Sequence, residues 1–458
     1  MSFLEANYEN AVIRLIEQLG YTHVYGPDVE RDYTAPLYAD VLEGALIAVN
    51  PGVPREAISE ALFKLRNIEN GKLEDRNIIF TDYLQNGIEV AFAHDGEQKY
   101  ERVRLIDYDH VERNSFIVAN QWTFQEHSEK RPDVVIFVNG LPLVVIELKS
   151  PSREETDASE AYRQLRNYML EIPSFFVYNA FCVMSDMAET RVGTITSGED
   201  RFMQWKTVDG ETESTAFADF NVLFEGMLEK QRFFDILRNF ICFSRDNGKD
   251  AKILAGYHQF YAVRKAVVST VNATQTDGRG GVFWHTQGSG KSYSMVMFAR
   301  KVKRKMEGNF TFLIITDRED LDTQIHKNFL RTEVIGNHDE WQPEDGKQLR
   351  EYLTKNKEFI FTLIHKFRYD KTKKYPILTT RDDIFVLVDE AHRTQIERSK
   401  QIKFDKDTDE NMRAMISLKS LRKSYNPLWI MLTIDIYSFD WDLWTTPFVL
   451  TIETLCRI

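Results

Sequence analysis

The sequence predicts an α/β protein of more than one domain, and three observations carry that expectation. The chain has 458 residues, and at roughly 150 residues per domain this length suggests about two to four domains. Two apolar runs flank Asn139-Gly140 between Arg131 and Lys149, which is the pattern of a β-hairpin. Between Gly281 and Asp389, short apolar runs alternate with helical segments, the signature of a parallel sheet.

Taken in order, Glu5 to Gly20 reads as a helix, with Ala11, Ile13, Leu15, Ile16 and Leu19 at helical spacing and a glycine stop. Asn77 to Lys149 is β-rich, with strands expected at Asn77–Phe80, Glu89–Phe92 and Ser115–Ala119. A helix follows over Asp157–Glu171, then a strand near Phe175–Ser185 and helical segments around Met227–Phe243. The polar, turn-forming stretch Ser244–Asp250 is the expected domain boundary. Beyond it, strands are expected at Gly281–His285, Phe310–Thr316, Phe359–Ile364 and Ile384–Asp389. This divides the chain into a domain over 1–245, a second over 250–425 and an atypical tail over 426–458.

Composition narrows the class. Hydrophobic residues make up 43% and charged residues 28%, which suits a folded, soluble protein. A net charge of −12 argues against indiscriminate DNA binding but leaves room for local basic surfaces, such as Lys301, Lys303, Arg304 and Lys305. Cys182, Cys242 and Cys456 form no C-x-x-C pair, so a reducing, cytoplasmic setting is expected. No signal peptide is apparent at the N-terminus. Pro427–Leu450 is long enough to span a bilayer, but Asp435, Asp440 and Asp442 interrupt it, and no membrane association is expected.

Two constellations carry chemistry. Folding the 131–149 hairpin brings Asp133 opposite residue 146, 147 or 148, so Asp133 and Glu147 become cross-strand neighbours. Lys149 points to the same face as Glu147 because side chains alternate along a strand. Carboxylates so placed can hold Mg²⁺ at a scissile phosphate, with the lysine positioning water and stabilising the transition state. A structural Glu–Lys pair on a wet sheet face is the plain alternative. The second constellation is a strand followed by Gly288-Ser289-Gly290-Lys291-Ser292. Glycines there let backbone N–H groups wrap phosphate oxygens, Lys291 reaches the β- and γ-phosphates of ATP, and Ser292 binds Mg²⁺. About a hundred residues on, Val386-Leu387-Val388 ends in Asp389 and Glu390, suited to the Mg²⁺ and to the attacking water respectively.

The phosphate loop and acidic strand together resemble the first core domain of superfamily 2 helicases and translocases. More narrowly, His285-Thr286-Gln287-Gly288-Ser289-Gly290-Lys291-Ser292, Thr316-Asp317-Arg318-Glu319-Asp320-Leu321-Asp322 and Val388-Asp389-Glu390-Ala391-His392-Arg393-Thr394-Gln395 resemble motifs of the motor (restriction) subunit of type I restriction enzymes. Arg131 to Pro151 resembles the PD-(D/E)xK nuclease core in the version found in that subunit. Gln164 and Tyr168, at i and i+4 on the next helix, match its Q-x-x-x-Y element. The resemblance implies a PD-(D/E)xK nuclease-like domain followed by a RecA-like P-loop domain. It also implies Mg²⁺-dependent cutting of double-stranded DNA coupled to ATP-driven translocation, with methyltransferase and specificity subunits as partners. Gln164 and Tyr168 would contact the DNA backbone, Gln259 would read adenine, and Glu5 or another acid of the first helix would complete the nuclease metal site.

From about Arg413 onward the resemblance stops. A second core domain is expected there, and the tail suggests a truncated or frame-shifted product, with the residues from about Ser417 forming a poorly packed appendage; a divergent final strand and helix is the plain alternative. Two other readings remain open: a stand-alone repair helicase-nuclease, and a non-catalytic fragment that only binds DNA or partner subunits.

Overall fold

The computed structural model describes residues 3–68, 71–94, 96–149, 158–186, 188–214, 220–246, 249–276, 278–283, 289–335, 341–367, 378–379, 381–389, 429–431 and 449–450. The chain divides into two compact units, Met1–Tyr257 and His258–Ile458.

The first unit opens with helix α1 (Phe3–Gln18) and strand β1 (Thr22–Tyr25), followed by helices α2 (Ala39–Val49), α3 (Arg55–Arg66) and α4 (Leu73–Asn86). A hairpin of β2 (Ile88–His94) and β3 (Glu97–Val103) precedes β4 (Phe116–Asn120), β5 (Phe124–Gln125) and β6 (Glu129–Lys130). Strands β7 (Val134–Val138) and β8 (Leu141–Leu148) lead to α5 (Ala158–Glu171), the short α6 (Pro173–Phe176), and β9 (Phe181–Ser185), β10 (Thr190–Gly193) and β11 (Met203–Gln204). Helices α7 (Asn221–Leu228) and α8 (Lys230–Asn239) and the hairpin β12 (Ile241–Asp246) and β13 (Lys249–Leu254) complete it. Its central sheet has seven strands in the order β1-β4-β7-β8-β9-β10-β11. The pairs β1–β4 and β8–β9 are parallel, whereas β4–β7, β7–β8, β9–β10 and β10–β11 are antiparallel.

At the middle of this sheet, every residue of β7 and β8 is buried. The turn between them holds Asn139 at φ 52° and Gly140 at φ 80°, the two successive positive values of the tight turn that matches strand twist. Asn139 is further secured: its amide donates to Leu105 O at 2.9 Å and Asn114 Oδ1 at 2.8 Å, and its Oδ1 accepts from Ser115 N at 2.8 Å. A Cβ on Gly140 would sit 2.7 Å from Tyr38 O. One face of the sheet, with Val135, Phe137 and Val145, packs on Ala161, Leu165 and Tyr168 of α5 and on Phe175 and Phe176 of α6.

Three local expectations are corrected here. Asn77–Phe80 lies inside helix α4, not in a strand. Its Ile-Ile-Phe run suits either state, but Asn77 is wholly buried and its amide donates to Val177 O at 2.7 Å and Asn179 O at 2.9 Å, a tertiary tie that a local pattern does not reveal. The strand expected near Phe175–Ser185 begins only at Phe181, because Pro173 starts a helical turn. The stretch Ser244–Asp250, expected to mark the domain boundary, instead contributes paired residues to the first unit, with Ser244 opposite Ala251 and Arg245 opposite Asp250, and that unit runs on to Tyr257. Turn chemistry alone does not tell a hairpin from a linker.

The second unit begins along α9 (Tyr257–Thr274) and continues through β14 (Arg279–Phe283), α10 (Lys291–Lys305), β15 (Thr311–Thr316), α11 (Glu319–Arg331), α12 (Gly346–Thr354), β16 (Phe359–Leu363) and β17 (Ile384–Val388). Two strand segments of the tail, β18 (Trp429–Met431) and β19 (Val449–Leu450), join it. The sheet order is β16-β15-β17-β18-β14-β19. Of its pairs only β14–β19 is antiparallel; β16–β15, β15–β17, β17–β18 and β18–β14 all run parallel. Every residue of β15, β16 and β17 is buried, as a sheet covered on both faces requires. The expectation of a loose appendage is therefore corrected at two points: Trp429 pairs with Arg279 and Val386, and Leu450 with Val282. The remainder of the tail lies outside the described residues.

Candidate functional site

The site of the first unit grows from the register of its central hairpin. Val134 pairs with Ile146, so Asp133 stands across from Glu147 one step further from the turn. The backbone of Leu148 donates to Asp133 Oδ2 at 2.9 Å and fixes that carboxylate at the strand end. Glu147 is completely buried and Lys149 nearly so, at 0% and 8% exposure, which rules out a wet-face salt bridge. Lys149 Nζ donates to Glu147 Oε1 at 2.7 Å and to Gln164 Oε1 at 2.8 Å. Gln164 Nε2 in turn donates to the Tyr168 hydroxyl at 2.6 Å. Glu147, Lys149, Gln164 and Tyr168 thus form one hydrogen-bonded chain along the sheet face that α5 covers.

The electrostatics are those of a site short of positive charge. Burial, and then repulsion by Asp133, push the Glu147 carboxyl well above the usual carboxylate range; the Lys149 ammonium opposes the shift without cancelling it. Burial and the nearby Glu147 also raise the Tyr168 hydroxyl above its ordinary value. Glu147 Oε2 is buried with no hydrogen-bond partner. Two facing carboxylates and an orphaned carboxylate oxygen fit a divalent cation, which would relieve both costs. Among the described residues no group of three His, Cys, Asp or Glu side chains is placed to hold a metal ion. Mg²⁺ keeps several waters and commonly takes one or two carboxylates together with substrate phosphates.

The sequence left open which acid of the first helix matters. Glu9 on α1 is buried, its Oε1 accepting from Asn120 Nδ2 at 2.6 Å and its Oε2 from Gln121 Nε2 at 2.7 Å. The Gln121 N–H also donates to Asp133 O at 2.9 Å, so this acid of the first helix braces the strand end that carries Asp133. A signal existed: Glu9 shares the apolar stripe of Val12, Ile13 and Ile16, where an acid needs a partner. The Glu5 side chain lies outside the described residues.

In the second unit, Ser289 and Gly290 lead into α10, with Gly290 at φ 79° as its N-cap. A Cβ there would lie 2.8 Å from Gln259 Nε2. Lys291 and Ser292 occupy the first turn of α10, where free backbone N–H groups favour an anion. Asp389 follows the end of β17, its N–H donating to Ile315 O at 2.9 Å and its side chain almost buried. Both groups therefore sit at the C-terminal ends of parallel strands, where open α/β sheets bind ligands. Gln259, expected at adenine, donates from its amide to Gly290 O at 2.9 Å, and His258 Nε2 lies 3.3 Å from Ser289 O. In this arrangement Gln259 holds the Gly290 carbonyl at the start of α10. Gly288 and Glu390 lie outside the described residues.

Comparison with known proteins fits this pair of sites. Residues 2–201 match the family described as type I restriction enzyme R protein N terminus, and residues 258–421 match the SWI2/SNF2 ATPase family. The chain belongs to the restriction-subunit family of type I restriction enzymes. It is 36% identical over 411 residues to the type I restriction enzyme HindI endonuclease subunit of Haemophilus influenzae, covering 85% of this chain and 39% of that protein. It is 32% identical over 421 residues to a putative type I restriction enzyme MjaIXP endonuclease subunit of Methanocaldococcus jannaschii, again covering 84% of this chain and 39% of the relative. The chain thus spans about 39% of the length of these relatives. A solved structure of the ATP-dependent Type ISP restriction-modification enzyme LlaBIII bound to DNA aligns at 12% identity with a TM-score of 0.28, covering 71% of this chain and 21% of that one.

Proposed function

We propose that the first unit is a Mg²⁺-dependent endonuclease that cuts double-stranded DNA, and that the second unit binds ATP with Mg²⁺. The observation that carries this reading is the buried chain Glu147–Lys149–Gln164–Tyr168 beside Asp133, with one carboxylate oxygen of Glu147 left without a partner. Burial of so much polarity in a core strand is costly and suits a site built to meet a cation and a phosphate.

Asp133 and Glu147 would hold the Mg²⁺, which when bound activates water and screens charge on the phosphate. Lys149, fixed by Glu147 and Gln164, keeps its ammonium at the phosphate end of the cluster. There it orients a water and stabilises the charge that develops on the phosphoryl oxygens. Water attacks phosphorus, the bond from phosphorus to one sugar oxygen breaks, and the products are a phosphate monoester and a hydroxyl. Tyr168 and Gln164 hold the DNA backbone and keep Lys149 aimed. In the second unit Ser289, Gly290 and Lys291 would cradle the phosphates, Gln259 would steady that loop, Ser292 and Asp389 would hold the nucleotide's Mg²⁺, and Glu390 would polarise the attacking water.

In the intact enzyme this chain's activities would combine with methyltransferase and specificity subunits, so that ATP-driven movement along DNA precedes cutting. Cys182 and Cys242 are buried free thiols, which suits work in the reducing cytoplasm. No helix among the described residues is long and apolar enough to cross a membrane.

The test is cleavage by a complex reconstituted with the partner subunits. Asp133→Ala, Glu147→Ala and Lys149→Ala should each abolish cutting while ATP hydrolysis by the complex persists. Cutting at the parental rate by Lys149→Ala would overturn the assignment. Cutting without any methyltransferase or specificity subunit would favour a stand-alone repair nuclease instead.

A further inference from the structure

Beside the cluster of Asp133, Glu147 and Lys149, an open cleft of about 420 Å³ runs between α5 and the segment 129–131 that leads into β7. One wall carries Lys130 and Arg131, and the other carries Arg163 and Asn167, which stand at i and i+4 on α5. Gln164 and Tyr168 also line it, the same two side chains that close the hydrogen-bonded chain from Lys149. Among the described residues Arg131, Arg163 and Lys130 enter no ion pair. Cations that form no ion pair with the protein remain available to an anionic ligand.

From this placement we infer that the cleft is a binding track for the DNA sugar–phosphate backbone, in which Arg131 and Arg163 grip phosphates next to the scissile one. The inference rests on the nuclease reading above and deepens it by naming how the strand is held. Lys130, Arg131 and Arg163 outnumber the two carboxylates in the lining, Glu129 and Glu160, in a chain whose net charge is −12. The local sign is therefore opposite to the global one, which concentrates attraction at the cut instead of over the whole surface. Arginine forks suit phosphate oxygens, and the amide of Asn167 can donate to the same backbone. The track continues into Gln164 and Tyr168, within two hydrogen bonds of Lys149, so a strand lying in it presents its next phosphate to the cluster.

The experiment is duplex binding by the 458-residue chain, followed by fluorescence anisotropy across a salt series in EDTA. Binding read in this way is independent of cutting. Arg131→Ala with Arg163→Ala should weaken binding at least tenfold and reduce the slope of log K against log salt by about 0.9 for each phosphate no longer neutralised. Arg131→Lys with Arg163→Lys should keep most of the slope, which separates lost charge from lost fold. Arg55→Ala with Lys99→Ala, at exposed cations outside the cleft lining, should leave the slope unchanged. A double alanine variant that binds with the parental slope would overturn the inference, as would a parent chain that fails to bind duplex DNA. The nuclease reading fails separately: in the reconstituted complex Glu147→Gln would then still cut, whatever the cleft variants do to binding.

Discussion

The two sites differ in how far apart along the chain their residues lie. In the first unit Asp133, Glu147, Lys149, Gln164 and Tyr168 fall within one hairpin and the next helix, and side chain meets side chain directly at 2.6–2.8 Å from Lys149 outward. In the second unit Ser289–Ser292 and Asp389 come from strands that are not even neighbours, since β18 lies between β14 and β17. There the sheet does the assembling, and Gly290 at the start of α10 is held by a residue from the preceding helix, Gln259. A site made by a local hairpin is rigid before any ligand arrives. One made at strand ends depends on the register of the entire sheet, and that difference can be tested by asking which substitutions fail locally and which fail globally.

The sharpest contrast comes from disabling each site alone. Glu147→Ala should reduce cutting by the reconstituted complex by about three orders of magnitude or more, a loss of several kcal/mol of charge stabilisation. Nucleotide affinity, read by titration with Mg-ATP, should not change. Lys291→Ala should weaken nucleotide binding by roughly 10- to 100-fold, since a charge-assisted hydrogen bond contributes about 1.5–3 kcal/mol. The melting of the first unit should be untouched. If either variant impaired both readouts, the two sites would not be independent.

Asn139→Ala separates turn from chemistry. It strands the partners of the Asn139 amide and places alanine at φ 52°. It should lower stability to chemical denaturation by about 2–4 kcal/mol and disturb the pairing of Asp133 with Glu147. The equivalent change at the other site, Gln259→Ala, should leave global stability nearly intact and weaken nucleotide binding modestly. Equal losses of stability would remove the contrast between a hairpin-built and a sheet-built site.

A further contrast is a pH dependence of the first unit's stability set by Lys252. Lys252 on β13 is buried, its ammonium donating to Asn77 Oδ1 at 2.8 Å and Asn179 O at 2.7 Å. Burial pushes its pKa down to about 7. The unfolded chain keeps the proton to a pH of about 10.4, so between these values folding releases a proton. Stability should therefore rise with pH across that window, by up to about 1.4 kcal/mol per pH unit, and the full penalty should apply below about 7. In Lys252→Met, denaturant titrations between pH 7 and 9 should show a flatter slope than the parent. An unchanged slope would mean that Lys252 stays charged in the fold.

Much of this molecule was legible in its sequence, because the signals are short-range. The Asn139-Gly140 turn dictates which residues of β7 and β8 face each other, and strand alternation then sets Glu147 and Lys149 on one face. The Gly290-Lys291-Ser292 run marks a helix start, and the apolar strand before Asp389 marks a buried parallel strand. Only the tertiary structure decided that Asn77–Phe80 is helical, that 244–250 contributes paired residues to the first unit, and that Glu9 is the acid braced against the Asp133 strand. It also decided that Gln259 is engaged by the Gly290 carbonyl and that Trp429–Met431 enters the sheet between β14 and β17. In most of these cases the partner lies tens to more than a hundred residues away. Local propensity is worth tenths of a kcal/mol per residue, whereas burying a side chain against a distant partner is worth kilocalories, and burial therefore determines the outcome.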